Sequence, residues 1–153
     1  MKLNLGCGSN HRAGYVNVDA DPGREPDVVA DIRRLPDELT DAEEVLAIHV
    51  LEHFPIGELT MLLKHWRSRM RPGARLVIEC PGLDGYARAL LDGSISPWQF
   101  NTACYERGLH KAFLNASAVI AMCSSAGFHG MREERPLTHG KLEHLNLRVE
   151  AIA

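Results

Sequence analysis

Short apolar runs dominate the first half of the chain. Lys2 to Leu5, Tyr15 to Asp19, Asp27 to Asp31, Glu43 to Ile48 and Arg75 to Cys80 are the strand candidates, and Tyr15 to Asp19 alternates poorly. Strands of a parallel sheet covered on both faces read this way. Between the fourth and fifth runs, Leu59, Leu62, Leu63, Trp66 and Met70 recur at three- and four-residue spacings. That period predicts a helix over 56–70 with one apolar face, stopped by Pro72-Gly73. Beyond Pro81 the pattern loosens: Tyr86 to Leu91 reads as a short helix, Asp92 to Asn101 as loop, and Phe113 to Ala126 as a helix closed by Gly127. Met131 to Arg135 and Leu145 to Ile152 are the last strands. The final one alternates, Leu145, Leu147, Val149 and Ala151 against Asn146, Arg148 and Glu150, and the long Pro136 to His144 connection can bring it back antiparallel. Strands alternating with helices predict an α/β three-layer sandwich around a mostly parallel seven-stranded sheet with an antiparallel last strand. Ligands of such sheets bind beyond the carboxyl ends of the strands. The polar residues there are Gly6, Gly8, Asp19, Asp31, His49 and Pro81-Gly82.

Composition narrows the setting more than the chemistry. A chain of 153 residues, 45% hydrophobic and 24% charged, fits one domain over 1–153 and does not fit disorder. A formal charge of -3 argues against a nucleic-acid surface. Arg67, Arg69, Arg71 and Arg75 do crowd one region, but a solvated helix face is the commoner meaning of such a run. No stretch reaches the roughly 18 apolar residues of a membrane span, and nothing after Met1 reads as an export signal. Cys7, Cys80, Cys104 and Cys123 show no C-x-x-C spacing, so free thiols and a cytoplasmic location are expected.

Chemistry first shows where strands end. Gly6 and Gly8 flank a tight exit from the first strand, where backbone can approach a ligand closely. Asp19 is placed to accept from both hydroxyls of a ribose. Asp31 is placed to receive an adenine amino group, with the Ile32 N–H donating to the ring. Taken singly, the glycines make a turn and the acids make caps; their shared location favours a nucleoside. A dinucleotide dehydrogenase would need G-x-G-x-x-G opening a helix and an acid about 20 residues later. Here Ser9-Asn10-His11 follows Gly8 and the acid comes much sooner.

Leu3-Asn4-Leu5-Gly6-Cys7-Gly8 resembles the first motif of class I S-adenosylmethionine-dependent methyltransferases. Asn17-Val18-Asp19, Asp31-Ile32-Arg33-Arg34-Leu35-Pro36, His49-Val50-Leu51-Glu52-His53-Phe54 and Met70-Arg71-Pro72-Gly73-Ala74 are similar to later motifs of that family's small bacterial and phage branch, of methyltransferase type 11 kind. Gly127-Phe128 resembles its turn into a final hairpin. The resemblance implies the Rossmann-like class I methyltransferase fold, S-adenosyl-L-methionine as cofactor and methyl transfer as activity. It implies methionine and ribose beside Leu5, Gly6, Cys7, Gly8 and Asn10, ribose on Asp19 next to Ala20, adenine beside Asp31 and Ile32, and His49 near the methyl-bearing sulfur. Asn10 stands where the family's third glycine is usual, and the stretch from Gly8 to Asp19 is too short for a full first helix. Ser9, Asn10 or His11 is then left to hold the methionine carboxylate.

His49-Val50-Leu51-Glu52-His53 also matches H-x-x-E-H, the inverted zinc-peptidase motif. On a helix, its two histidines would share a face with Glu52 beside them. A third ligand would have to come from Glu79, His110 or His129, none of which carries a supporting motif, so no metal is assigned. His49 is therefore read either as a general base or as a pocket wall. His110, before the helix from Phe113, is the second catalytic candidate on the resemblance and a helix cap otherwise. Tyr86, Trp98 and Tyr105 are candidates for an acceptor pocket, against the commoner role of packing beneath a loop. The expected acceptor is an oxygen or nitrogen of a small molecule or glycan, with nucleic acid second, because no N/D-P-P-Y/F string follows the fourth strand. A small lid is compatible with a homodimer closing the site, though no residue argues for one. A non-catalytic S-adenosylmethionine-binding regulator and a zinc hydrolase are the alternatives.

Overall fold

The computed structural model describes residues 1–138 and 142–153. Strands Lys2–Leu5 (β1), Val16–Asp19 (β2), Val28–Val29 (β3), Ala42–Ile48 (β4) and Met70–Pro81 (β5) pair in parallel. Helix Ile56–Ser68 (α1) joins β4 to β5, and Leu83–Leu91 (α2), Pro97–Tyr105 (α3) and Ala116–Ser125 (α4) follow. His129–Glu134 (β6) and Asn146–Ile152 (β7) complete a seven-stranded sheet in the order β3-β2-β1-β4-β5-β7-β6. β7 runs antiparallel to both of its neighbours, as the long connection and the alternating last strand predict.

The apolar stripe of α1 explains its seat. Leu59, Leu62, Leu63 and Trp66 are buried, and each such side chain contributes about 1.5–3 kcal/mol on leaving water. The helix also fixes a loop. Trp66 Nε1 donates to Ile32 O at 2.9 Å and Leu35 N donates to His65 Nε2 at 2.9 Å. Burial, reinforced by the Arg69 charge, pushes the His65 pKa down and keeps that lone pair available. A smaller cluster of Tyr86, Ala89 and Ile95, with Phe100 and Phe113 against it, joins α2 to α3. Phe113 meets Tyr86 and Phe100 edge-on, at 5.8 and 6.0 Å between ring centroids. Among the described residues no helix is long and apolar enough to cross a membrane.

Several expected boundaries move. Met70 opens β5 rather than closing α1, and Arg69 caps the helix. Pro72-Gly73 therefore stops nothing: Ala42 faces Met70 and Glu44 faces Arg75, so residues 71–74 bulge from the ladder. The third strand keeps only Val28–Val29 of the expected 27–31. The expected loop over 92–101 contains the start of α3, where Ser96 and Gln99 form a reciprocal capping box ahead of Pro97. The helix expected from Phe113 begins at Ala116, capped by Asn115, while Leu114 bridges to Gly82. Leu145 belongs to a 3₁₀ turn, Glu143–Leu145, ahead of β7. Part of the long connection, residues 139–141, lies outside the described residues.

The polar face of β7 is also buried, unlike a solvated alternating strand. Glu150 is 3% exposed beneath Arg75 (Nη2 to Oε1, 2.5 Å), Arg132 (Nη2 to Oε2, 3.0 Å) and Arg148. The Arg75 guanidinium foremost, with Arg132 and Arg148, holds the Glu150 carboxyl down to about 2.

Candidate functional site

A cleft of about 1030 Å³ opens beyond the carboxyl ends of β1, β2 and β4. Gly6, Cys7, Gly8, Asn10, Asp19, Ala20, Asp31, Ile32 and His49 all line it. Leu5 does not: it is fully buried in the core one residue earlier. Gly6 has φ +62, and a Cβ there would stand 2.8 Å from Val50 Cγ2, so neither the turn nor the packing admits a side chain. Cys7 is 3% exposed with its thiol donating to Gly8 O. Burial, with the Asp19 charge adding to it, pushes that thiol's pKa up.

Asp19 sets the floor of the cleft. Its Oδ2 accepts from Gly8 N at 2.8 Å and its Oδ1 from Asp21 N at 2.9 Å. A carboxylate has about four lone-pair sites, so both oxygens retain acceptor capacity. Asp31 is paired with Arg33, Nη2 to Oδ2 at 2.6 Å, which lowers its pKa below the usual carboxylate range.

Residues 9–14, where a first helix is missing, are pinned from below by two asparagines. Asn4 Nδ2 donates to Asn10 O at 3.0 Å and to Asn17 Oδ1 at 2.9 Å, and Arg12 N donates to the same Asn17 oxygen at 2.8 Å. Asn17 is held in turn by Asp27 Oδ2, which accepts from its backbone and side-chain nitrogens at 2.8 Å each. Arg24, overlooked in the sequence, brings a cation to this rim: it meets Ser9 Oγ at 3.3 Å and Asp21 at 3.3 Å. Buried Asn4 and Asn17 inside otherwise apolar strands were the readable signal that polar tethers replace the helix.

His49 follows directly on β4 with φ +56, a conformation uncommon outside glycine. It lies outside any helix, and only Leu51–His53 forms a single 3₁₀ turn, so the helical face that H-x-x-E-H would need does not form. Instead His49 Nδ1 donates to Glu52 Oε1 at 3.1 Å, and Asn146 Nδ2 donates to His49 Nε2 at 3.2 Å. Asn146 also donates to Glu79 Oε1 at 3.2 Å. Glu79, fully buried, accepts from Leu137 N at 2.6 Å and from the Thr138 hydroxyl, which anchors Leu137 and Thr138 over the cleft. Neither Glu79 nor exposed His129 joins the histidines.

A second chamber of about 570 Å³ shares His49 and His53 with the cleft and adds Glu52, Tyr86, Trp98 and His110. Tyr105 is outside its lining and 60% exposed. Lys111 N and Ala112 N both donate to Glu52 O, at 2.7 and 3.2 Å, which brings His110 beside His53. Their ring centroids are 5.1 Å apart. His110 Nδ1 is 2.7 Å from Ala103 O, so it does not cap α4.

Solved structures of similar shape decide the fold. A methyltransferase described as S-adenosylmethionine-dependent from Archaeoglobus fulgidus matches 99% of this chain and 85% of its own at TM-score 0.70 and 18% identity. Human N-acetylserotonin methyltransferase, in complex with S-adenosylmethionine, matches 99% of this chain and 46% of its own at TM-score 0.67 and 17% identity. The chain adopts the class I S-adenosylmethionine-dependent methyltransferase-like fold. The PH0226 protein of Pyrococcus horikoshii is similar in shape to this chain at TM-score 0.65 and 19% identity, over 99% of this chain and 80% of its own. The chain spans about half the length of some of these structures, 51% for a Nostoc punctiforme protein. No protein-family model matches the chain, and no curated protein is similar to it. Within this fold the cleft residues suit a nucleoside: a glycine turn without a side chain, the Asp19 carboxylate with spare lone pairs, the Asp31 carboxylate held by Arg33, and the buried Ile32.

Proposed function

We propose that residues 1–153 form one S-adenosylmethionine-binding domain that transfers a methyl group to an oxygen or nitrogen of a small or sugar-like acceptor. The observation that carries this reading is the gathering of Gly6, Gly8, Asp19, Asp31 and Ile32 around one cleft in the methyltransferase-like fold. The ordered motif strings from Leu3 to Ala74 support the small bacterial and phage branch. When bound, S-adenosylmethionine supplies an electrophilic methyl on a sulfonium, whose departure as a thioether needs no acid.

The chain's own work is then alignment and acceptor activation. Asp19 accepts from the ribose hydroxyls and Asp31 from the adenine amino group, with the Ile32 N–H facing the ring. Asn10, His11 and Arg24 meet the methionine carboxylate. His49, with both ring nitrogens engaged, acts as the wall that separates cofactor from acceptor. Activation of the acceptor atom falls to His110, in the second chamber beside Tyr86 and Trp98.

Calorimetric titration with S-adenosylhomocysteine tests the cofactor half. One-site binding that weakens on Asp19→Asn is expected, and absence of binding by the folded protein overturns the reading. A methyl-release screen over sugars and small amines then tests catalysis. Turnover lost in His110→Ala with cofactor binding retained is the expected result. Turnover unaffected in that variant removes His110 from the reaction.

A further inference from the structure

Glu52, His53 and His110 each bring one donor atom to a cluster whose atoms all lie within 4.8 Å of one another. The Glu52 side chain is 2% exposed, and its Oε2 is shielded from solvent with no hydrogen-bond partner. A buried polar atom left so costs about 1–3 kcal/mol, and more when charged. The other oxygen, Oε1, accepts from His49, whose Nε2 accepts from Asn146.

The two remaining histidines sharpen the deficit. His110 Nδ1 is 2.7 Å from Ala103 O, and His53 Nδ1 makes a longer 3.4 Å contact with Leu109 O. A carbonyl only accepts, so each Nδ1 carries the proton and each Nε2 keeps a lone pair. One carboxylate oxygen of Glu52 and one ring nitrogen from each histidine thus gather within 4.8 Å of one another. An Nδ1–H held by a backbone carbonyl is also the outer contact that orients metal-ligating imidazoles.

We propose that Glu52 Oε2 and the Nε2 atoms of His53 and His110 bind a divalent transition cation of the zinc type. Two imidazoles and one carboxylate are the donor set of zinc sites that keep an open position. Magnesium and calcium prefer oxygen-rich shells. All three residues line the acceptor chamber, so the open position faces the acceptor. This consequence rests on the methyltransferase reading and specifies its acceptor as an oxygen donor such as a sugar hydroxyl. The hydroxyl proton passes to water, the new O–C bond forms as the S–CH₃ bond breaks, and the broken bond's electron pair stays on sulfur. His110 serves this activation through the cation and not as a free base.

The test uses chelator-stripped full-length protein, titrated with zinc chloride by calorimetry and with cobalt(II) by visible absorption. One equivalent of zinc and the intense visible bands of low-coordinate cobalt are expected. His53→Ala and His110→Ala should each weaken zinc binding by roughly 100-fold or more, Glu52→Gln should weaken it as well, and exposed His129→Ala should leave it unchanged. Urea melts of every variant show whether the fold survives; if His110→Ala unfolds, His110→Gln takes its place. Absence of stoichiometric uptake, or uptake indifferent to His53 and His110, overturns the cation site. A parallel titration with S-adenosylhomocysteine keeps the two readings apart. Nucleoside binding without zinc uptake ends the cation proposal alone, whereas zinc uptake without nucleoside binding upholds the cation site and ends the cofactor reading.

Discussion

Asp19→Asn is the sharpest test of the cleft because the partners of that carboxylate can be counted. Two of its about four lone-pair sites are taken by Gly8 N and Asp21 N, at 2.8 and 2.9 Å. The other two are available for the paired hydroxyls of a ribose. An asparagine offers one acceptor oxygen, carries no charge, and turns an amide toward groups that are themselves donors. Hydrogen bonds to a charged partner contribute about 1.5–3 kcal/mol each. Partial solvent exposure of Asp19 favours the lower end, so losing the pair should cost about 3 kcal/mol, or roughly 100-fold in affinity. The assay is calorimetric titration with S-adenosylhomocysteine, with a urea melt of the same sample to register the loosened Gly8 turn, expected near 1 kcal/mol. Asp27→Asn is the companion variant: its carboxylate tethers Asn17 and the 9–14 loop without lining the cleft. Asp27→Asn should therefore lower stability while changing affinity far less. Affinity of Asp19→Asn within about threefold of the parent, at parent stability, would refute the ribose assignment.

Two further outcomes follow from packing and charge. Gly6→Ala combines a left-handed backbone penalty of about 1–2 kcal/mol with overpacking of buried Val50 at about 1–3 kcal/mol, given the 2.8 Å approach. Urea melts should show a loss of about 2–5 kcal/mol, part of which Val50→Ala restores; a loss below about 0.5 kcal/mol would contradict the structure. Glu150, depressed to about 2 from 4.5, contributes roughly 3 kcal/mol near neutral pH by linkage. Because its folded pKa lies below its unfolded one, that stability is present above about pH 4.5 and lost as pH falls through about 2. The stability gap between parent and Glu150→Gln should thus narrow steadily below pH 4.5, and a gap constant down to about pH 3 would show that the arginines do not hold the charge.

Local pattern made most of the sheet legible. Leu3 and Leu5, Val45 to Ile48 and Leu76 to Ile78 are apolar because both faces of a central strand are covered. The spacing of Leu59, Leu62, Leu63 and Trp66 revealed α1 for the same reason. The α3 helix was hidden because its sequence, P-W-Q-F-N-T-A-C-Y, has no buried stripe. A capping box starts it and tertiary contact with α2 and Phe113 holds it. Alternation marks Glu150 as polar, and cannot record that three arginines fold over it.

The same division runs through the site. Glycines and acids at strand ends were visible because the chain order of a parallel sheet brings successive carboxyl ends to one edge, so local sequence already carries their common location. What His49, Glu52, His53 and His110 do together was not visible. The sequence contained all four, and H-x-x-E-H suggested a helix. The left-handed turn at His49 instead sent its ring to Asn146, and the bonds of Lys111 and Ala112 to Glu52 O brought His110 across from a distant segment. Such pairings depend on backbone hydrogen bonds between residues far apart in the chain, which residue types and spacing do not encode; only the folded structure gathers the Glu52 carboxylate and the His53 and His110 imidazoles within 4.8 Å.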